Sequence, residues 1–458
     1  MSVLPAAIKK RPFSATRVLA YGFLVSIICG TLLLMLPFSS APGVKTRFID
    51  ALFTATSSVC VTGLVTVPTF SHWSWFGQFV ILVLIQIGGL CVITFTILFC
   101  LIMGRRIGLK ERLLLQAAYS LESMNGLVEM ARRILRASLL VEACGALLIM
   151  PRFIMDLGAY GVWAGIFHAV SAFCNAGMDI IGPDSFAPYL TDVWVNLVTS
   201  ALIILGGLGF PVWWILLKRI KERISRKSRP ARSPYLALYP KTVLLMTGSL
   251  LLFGTAAVLL LEYDNPGTLG PLSFGNKLLA AFFQSVTLRT AGFYTISQSQ
   301  LRNSTSLISC LLMFIGGSPS GTAGGIKTTT FLIIASTVLS MLKEKDYTEF
   351  LHRRISANTV RRAIAIFMAS FTVTVISLIM LTAVNPGNFL DCFFEVISAI
   401  GTVGLSRGFT EQLNTVGKCV IITTMYLGRI GPVSLSMFFN TSRFRNLISY
   451  AEESISVG

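Results

Sequence analysis

The sequence predicts an all-α integral membrane protein. It would be built from four tandem span–pore-helix–span repeats, with eight transmembrane helices and four re-entrant pore helices in pseudo-fourfold symmetry around one pore. Three observations predict this class. Hydrophobic residues make up 54% of the 458 and charged residues only 13%, against about 25% charged in an average soluble protein. Mean hydropathy is +0.74, so the chain lacks the polar surface that a water-soluble globule or a disordered chain requires. The apolar stretches have helix length and show no period-two alternation of a lipid-facing barrel, which makes the spans helices. The third observation is an internal repeat.

Long apolar runs fall near 17–36, 76–103, 134–151, 193–217, 241–261, 304–341, 360–383 and 414–438. Each is near or above the roughly 20 residues needed to cross a bilayer. Between alternate pairs lie semi-polar segments that end in glycine turns, too short to cross and too apolar for ordinary loops. Such a segment reads as a re-entrant half-helix, tolerated where its irregular end lines a protein cavity.

Four of these turns align on Gly63, Gly177, Gly292 and Gly404, spaced by 114, 115 and 112 residues. A Phe stands ten residues before each (Phe53, Phe167, Phe282, Phe394), and an apolar residue four before (Val59, Phe173, Leu288, Ile400). Six before, three of the four are Ser (Ser57, Ser171, Ser398), with Val286 the exception. The first and fourth copies also carry Asp50 and Asp391 thirteen residues ahead of the glycine. The expected repeats are 1–125, 126–235, 236–355 and 356–458.

Two spans per copy put every glycine turn on one side of the membrane. The presumed inner segments hold 28 of the 38 Lys and Arg, including nine over 218–241, and the outer connections about seven. By the positive-inside rule both termini and the repeat-joining loops are cytoplasmic and the turns face outward. The net charge of +18 is thereby explained without nucleic acid. The start of the chain, with Lys9, Lys10 and Arg11, reads as a basic cytoplasmic flank and not as a cleaved signal. Nine Cys with no CxxC pair read as reduced packing residues. No HExxH or paired-carboxylate constellation appears, and the three His lie apart, so an enzyme is not expected.

The turns read Val61-Thr62-Gly63, Asn175-Ala176-Gly177, Thr290-Ala291-Gly292 and Thr402-Val403-Gly404. A dehydrated monovalent cation needs several oxygens aimed at one axis, and backbone carbonyls of four short segments around that axis supply them. Aligning successive carbonyls calls for unusual φ values, which glycine permits. Each preceding short helix points its negative C-terminal end at the ion, and Asp50 and Asp391 complement the opposite end of two of them.

Thr402-Val403-Gly404 matches the start of the TVGYG filter of tetrameric potassium channels. The whole layout resembles the Ktr/Trk/HKT superfamily of potassium transporters, most closely the Ktr membrane subunit (KtrB-like), over essentially the full chain. The resemblance implies K+ as the transported ion at the twelve turn residues, with sodium activation left open and no nucleotide bound by this chain. It implies a bacterial cell-membrane protein, a homodimer, and a separate cytoplasmic nucleotide-binding regulatory subunit (a KtrA-like ring). The basic loops 218–241 and 343–362 are candidate docking surfaces for that ring or for anionic membrane lipid, and the tail over 442–450 is a candidate dimer contact.

The run 304–341 is too long for one crossing and is broken by Gly316-Gly317-Ser318-Pro319-Ser320-Gly321-Thr322-Ala323-Gly324-Gly325-Ile326-Lys327-Thr328, which cannot stay helical. Ile326 separates Gly325 from Lys327, so this is not a phosphate loop. The resemblance assigns it, with Gly316, Gly317, Ser318, Gly321, Gly324, Gly325 and Lys327, to an intramembrane gate. Arg429, a costly charge inside the last span, belongs to the same gate as an electrostatic barrier or as a clamp on loop carbonyls. Arg289 is expected to brace the filter from behind, and Glu142 and Glu395 to be buried partners for such charges. Two rivals remain: a sodium-conducting member of the superfamily, disfavoured by all four glycines being present, and a non-transporting membrane scaffold.

Overall fold

Four helices among the described residues contain stretches long and apolar enough to cross a bilayer: Arg17–Leu34, Ala131–Leu157, Leu238–Glu262 and Ala357–Val384. The computed structural model describes residues 15–43, 45–90, 127–224 and 234–431. The basic flank at 9–11, the end of the 76–103 run, the loop over 105–126, part of 218–241 and the tail over 442–450 lie outside the described residues.

The helices follow one another in a recurring order of long helix, short helix, turn and second helix. α1 (Ala15–Leu34), α2 (Phe48–Cys60) and α3 (Trp75–Gly89) come first. α4 (Leu127–Leu157), α5 (Tyr160–Cys174), α6 (Val193–Gly207) and α7 (Phe210–Ile224) follow. Next are α8 (Pro234–Glu262), α9 (Phe274–Thr287), α10 (Asn303–Phe314) and α11 (Thr328–Leu342), then α12 (Ala357–Val384), α13 (Phe389–Gly401) and α14 (Thr415–Ile430). The long helices turn leucines and isoleucines outward: Leu252 is 74% exposed and Leu140 65%. In water such a surface would aggregate; against lipid tails it is solvated.

The short helices are the buried part. Phe53, Phe167 and Phe394 are fully enclosed, each worth about 1.5–3 kcal/mol in apolar transfer. The third copy departs from the sequence alignment. There Phe283, not Phe282, is the fully buried ring. The same one-residue shift replaces Val286 by Thr287, whose carbonyl accepts from Ala291 N at 3.0 Å. In the other copies the acceptor lies one residue further back: Ser57 for Thr62, Ser171 for Ala176 and Ser398 for Val403, each at 2.8 Å. The third turn is one residue shorter, which is why a fixed offset found a Phe but missed the hydroxyl.

The second helices are interrupted more often than the sequence suggested. The run 304–341 is broken between α10 and α11, as its glycines required. The run read as one span over 193–217 is also broken, α6 and α7 meeting at 100°. The break falls at Gly206-Gly207-Leu208-Gly209, where Gly209 takes φ +88, a left-handed conformation open to glycine at little cost.

Charged ties hold the layer around the starts of the short helices. Lys418 of α14 donates to Asp50 of α2 at 2.6 Å, and Arg407 to Asp391 of α13 at 2.7 Å. Arg407 also reaches Ser306 of α10 at 2.6 Å. Glu262, at the end of α8, accepts from Thr268, Asn265, Thr305 and the Arg302 N–H, satisfying a buried carboxylate with four donors.

Candidate functional site

Two residues before each aligned glycine the chain enters a left-handed conformation, directly at the end of the short helix in three copies and three residues past Thr287 in the third copy. Val61 (φ 55), Asn175 (φ 60), Thr290 (φ 66) and Thr402 (φ 50) share this geometry, and Gly63, Gly177, Gly292 and Gly404 follow at φ +97, +65, +84 and +93. Three of the four non-glycine positions are β-branched, for which positive φ costs about 1–3 kcal/mol each. Such strain persists only where the surroundings impose it, and here the short helices do so through their hydroxyls. Ser57 Oγ accepts from Gly63 N at 3.0 Å and Ser398 Oγ from Gly404 N at 3.1 Å. Ser171 Oγ donates to Met178 O at 2.8 Å and Thr287 Oγ1 to Phe293 O at 2.5 Å.

In every copy the N–H just ahead of the glycine (Thr62, Ala176, Ala291, Val403) is drawn back to a helix carbonyl, which leaves carbonyls for the side away from the helices. The four turns close a ring. A Cβ built on Gly63 would come within 2.5 Å of Ala176 O, one on Gly177 within 2.5 Å of Ala291 O, and one on Gly292 within 2.7 Å of Val403 O. One on Gly404 would overlap Thr62 O, returning to the first turn. All twelve turn residues predicted from sequence meet here, and their threonine and asparagine side chains are buried. The Thr62, Thr290 and Thr402 hydroxyls are buried without a hydrogen-bond partner among the described residues. Orphaned buried oxygens of this kind cost about 1–3 kcal/mol each unless something fills their coordination. A closed ring of carbonyls with spare hydroxyls, at the negative ends of four helices, has the donor chemistry that a desolvated cation requires.

The segment between α10 and α11 lies against this ring. Its two ends are pinned to each other by Gly316 N to Ile326 O (2.9 Å) and Thr328 N to Gly317 O (3.1 Å). Its middle docks into the break between α6 and α7: Ser318 N donates to Gly207 O (3.0 Å), Thr322 N to Gly206 O (3.2 Å), and Phe210 N to Ser320 O (3.1 Å). Tyr239 donates to Pro319 O at 3.1 Å. Gly324 is pressed against Thr402 so closely that a Cβ would overlap its hydroxyl. Arg429 donates to Thr322 O and to Gly88 O, both at 2.5 Å, joining the segment to α3. Lys327, assigned to the same gate, is half-buried and donates to Ala323 O at 2.7 Å. Two cationic side chains thus bind successive carbonyls of one loop.

The other predicted charges fall behind the ring. Arg289 is buried and donates to Thr247 O at 3.3 Å. Glu142 and Glu395 take neutral donors instead of the expected cationic ones. Gln86 donates to both Glu142 oxygens, at 3.0 and 2.9 Å, with the Cys174 thiol beside them. Ser406 and Thr410 donate to Glu395, at 2.7 and 2.5 Å.

Sequence reasoning missed a second set of glycines. Gly88, Gly206 and Gly428 lie on the second helices where a Cβ would overlap the carbonyls of Val59, Phe173 and Ile400. Each of these acceptors stands four residues before its turn glycine. The signal was available, because these glycines recur 24 to 29 residues after the first set. It is blurred because the second helices break at different points.

These features define an all-helical membrane protein in which four glycine turns meet in a ring. A family model described as TrkH, a cation transport protein, matches residues 14–445, and the chain belongs to that family. It is 40% identical over 449 residues to the Ktr system potassium uptake protein B of Bacillus subtilis (strain 168), covering 97% of each chain. It is also 40% identical over 467 residues to the potassium/sodium uptake protein NtpJ of Enterococcus hirae, covering 100% of each. The crystal structure of the potassium transporter TrkH from Vibrio parahaemolyticus shares the fold, with a TM-score of 0.72 over 95% of this chain and 86% of that one at 18% identity.

Proposed function

We propose that this chain is the membrane subunit of a gated potassium uptake system. Potassium passes down its electrochemical gradient through a filter formed by the four turns. The segment from Gly316 to Thr328, with Arg429, closes the path on the inner side. One observation carries the reading: the four glycine turns abut one another in cyclic order, each with the N–H ahead of its glycine drawn back to the helix. The potassium uptake relatives support the choice of ion. A cytoplasmic nucleotide-binding subunit regulates the gate, in keeping with relatives named as parts of a Ktr system. The chain works as a homodimer in a bacterial cell membrane, four repeats per protomer, with both termini cytoplasmic and anionic lipid against its basic inner loops.

Sodium conduction is the second reading, favoured by the potassium/sodium relative. Uptake of rubidium or potassium in a potassium-uptake-deficient bacterium separates the readings. The wild-type chain restores growth at low potassium. Deleting 318–325 gives constitutive leak. A wild-type chain that carries sodium but not potassium overturns the potassium assignment.

A further inference from the structure

Thr322 is the most constrained residue of the docked loop. It is completely buried, and each of its three hydrogen-bonding groups reaches outside the loop. Its N–H donates to Gly206 O of α6 at 3.2 Å. Its carbonyl accepts from Arg429 of α14 at 2.5 Å. Its hydroxyl points at two acceptors, Asn175 Oδ1 at 2.9 Å and Phe173 O at 3.1 Å, and shares its single proton between them.

Asn175 ends α5 at φ 60 and opens the second turn of the ring. Its amide Nδ2 donates to Arg289 O at 3.4 Å, in the chain just ahead of the third turn. One side chain therefore has the loop on its oxygen and the neighbouring turn on its nitrogen. Ser318 makes a useful contrast. Its hydroxyl bonds Thr328 Oγ1 at 3.2 Å, inside the loop's own base, and its N–H bonds Gly207 O. Ser318 helps seat the loop without touching the ring.

We propose that Thr322 is a positioning residue for ion discrimination. Its hydroxyl fixes the Asn175 amide, and with it the second and third turns. The loop's other contacts hold the path closed, whereas this hydroxyl also holds the filter. The proposal rests on the reading of the turns as filter and the loop as gate. It adds that loop and filter meet through one hydroxyl, so that its loss changes flux and selectivity together, whereas loosening the loop base at Ser318 changes flux alone.

The test compares Thr322→Val, Thr322→Ser and Ser318→Ala in the uptake-deficient bacterium. Rubidium and sodium uptake are measured side by side and normalised to chain in the membrane. Thr322→Val keeps the shape and both backbone bonds and removes the hydroxyl. It raises rubidium flux and lowers the rubidium-to-sodium ratio by about 2- to 12-fold, the factor one hydrogen bond is worth. Thr322→Ser restores both quantities. Ser318→Ala raises flux and leaves the ratio at the wild-type value. A Thr322→Val chain with raised flux and unchanged ratio overturns the coupling, as does a Thr322→Val chain indistinguishable from wild type. An equal drop in ratio in Ser318→Ala also overturns it, since any loosening of the loop would then suffice. Failure of the wild-type chain to take up either ion defeats the transport reading itself and is recognised before any variant is compared.

Discussion

Gly404→Ser separates the strain of positive φ from the crowding of a ring. Gly404 sits at φ +93, where an L-side chain costs about 1–2 kcal/mol. Gly43, before the first short helix, has a similar φ of +80 but nothing within 4 Å of an added Cβ. Gly43→Ser therefore carries the conformational cost alone. At Gly404 the added atom overlaps Thr62 O and stands 2.9 Å from Gly63 Cα, against the 3.4 Å at which ordinary contact begins. Both obstacles are backbone, so relief requires the first turn to move outward by more than an ångström at Thr62 O, which the close packing of the interior resists. A relaxation of 1–2 kcal/mol felt by a dehydrated ion changes its preference by a factor of about 5–30. We expect Gly404→Ser to lower the rubidium-to-sodium uptake ratio by that factor and Gly43→Ser to leave it unchanged. Both variants are assayed in the uptake-deficient bacterium at matched membrane abundance. Equal ratios in the two variants would refute the claim that the glycine serves a shared ring and not merely its own turn.

Other perturbations read the scaffold. Lys418→Met strands Asp50, and breaking a buried pair costs about 3–5 kcal/mol; the thermal midpoint in detergent falls, and adding Asp50→Asn recovers part of the loss. Gly88→Ala forces a methyl group onto Val59 O, an overpacking cost of about 1–3 kcal/mol that appears as lower thermal stability in spite of alanine's better helix propensity. Glu262→Gln turns an amide NH2 toward donors and loses about 1–3 kcal/mol, measured the same way. His72, outside the spans and 2.9 Å from Thr46 Oγ1, is held by burial below its ordinary value of 6.5. Its neutral form is the one the fold accepts, so stability is full above pH 6.5 and falls as pH drops below it. His72→Gln removes that slope from the thermal midpoint between pH 7.5 and 5.5, and an unchanged slope would assign it to other groups.

Elements with a long, uninterrupted chemical signal were legible in the sequence. The first helix of each copy is an apolar run of span length, and each reappears in the structure with large apolar side chains turned outward. The glycine turns were legible for a related reason: a positive φ leaves few substitutes, so the demand is written into residue type. Elements that depend on partners far along the chain were not legible. Nothing in the 193–217 run announces a 100° bend. The role of Gly206, Gly207 and Gly209 emerges only from the fold, where the loop from 316–328 supplies the hydrogen bonds that α6 and α7 give up at their break. Glu142 and Glu395 looked like counter-ions because a buried carboxylate invites a cation. Hydroxyls, an amide and a thiol satisfy them as well, and no local pattern distinguishes the two outcomes.

The third copy shows how an imperfect repeat is used. Its turn is one residue shorter, its helix-end hydroxyl belongs to Thr287 in place of a serine, and its second helix is opened into the loop that docks under the ring. A strictly fourfold assembly would bring four identical second helices to the axis, and a plug entering from one side would have no matching notch. Breaking α6 from α7 at Gly209 exposes carbonyls and an N–H to receive the loop, and opening α10 from α11 frees the chain that fills the gap. The two departures from the repeat are complementary halves of one contact. Alteration at either half should therefore change loop seating in the same direction: Gly209→Ala, which collides with Pro319 O at about 2.5 Å, and Tyr239→Phe, which removes the donor to that same oxygen, are both expected to raise flux.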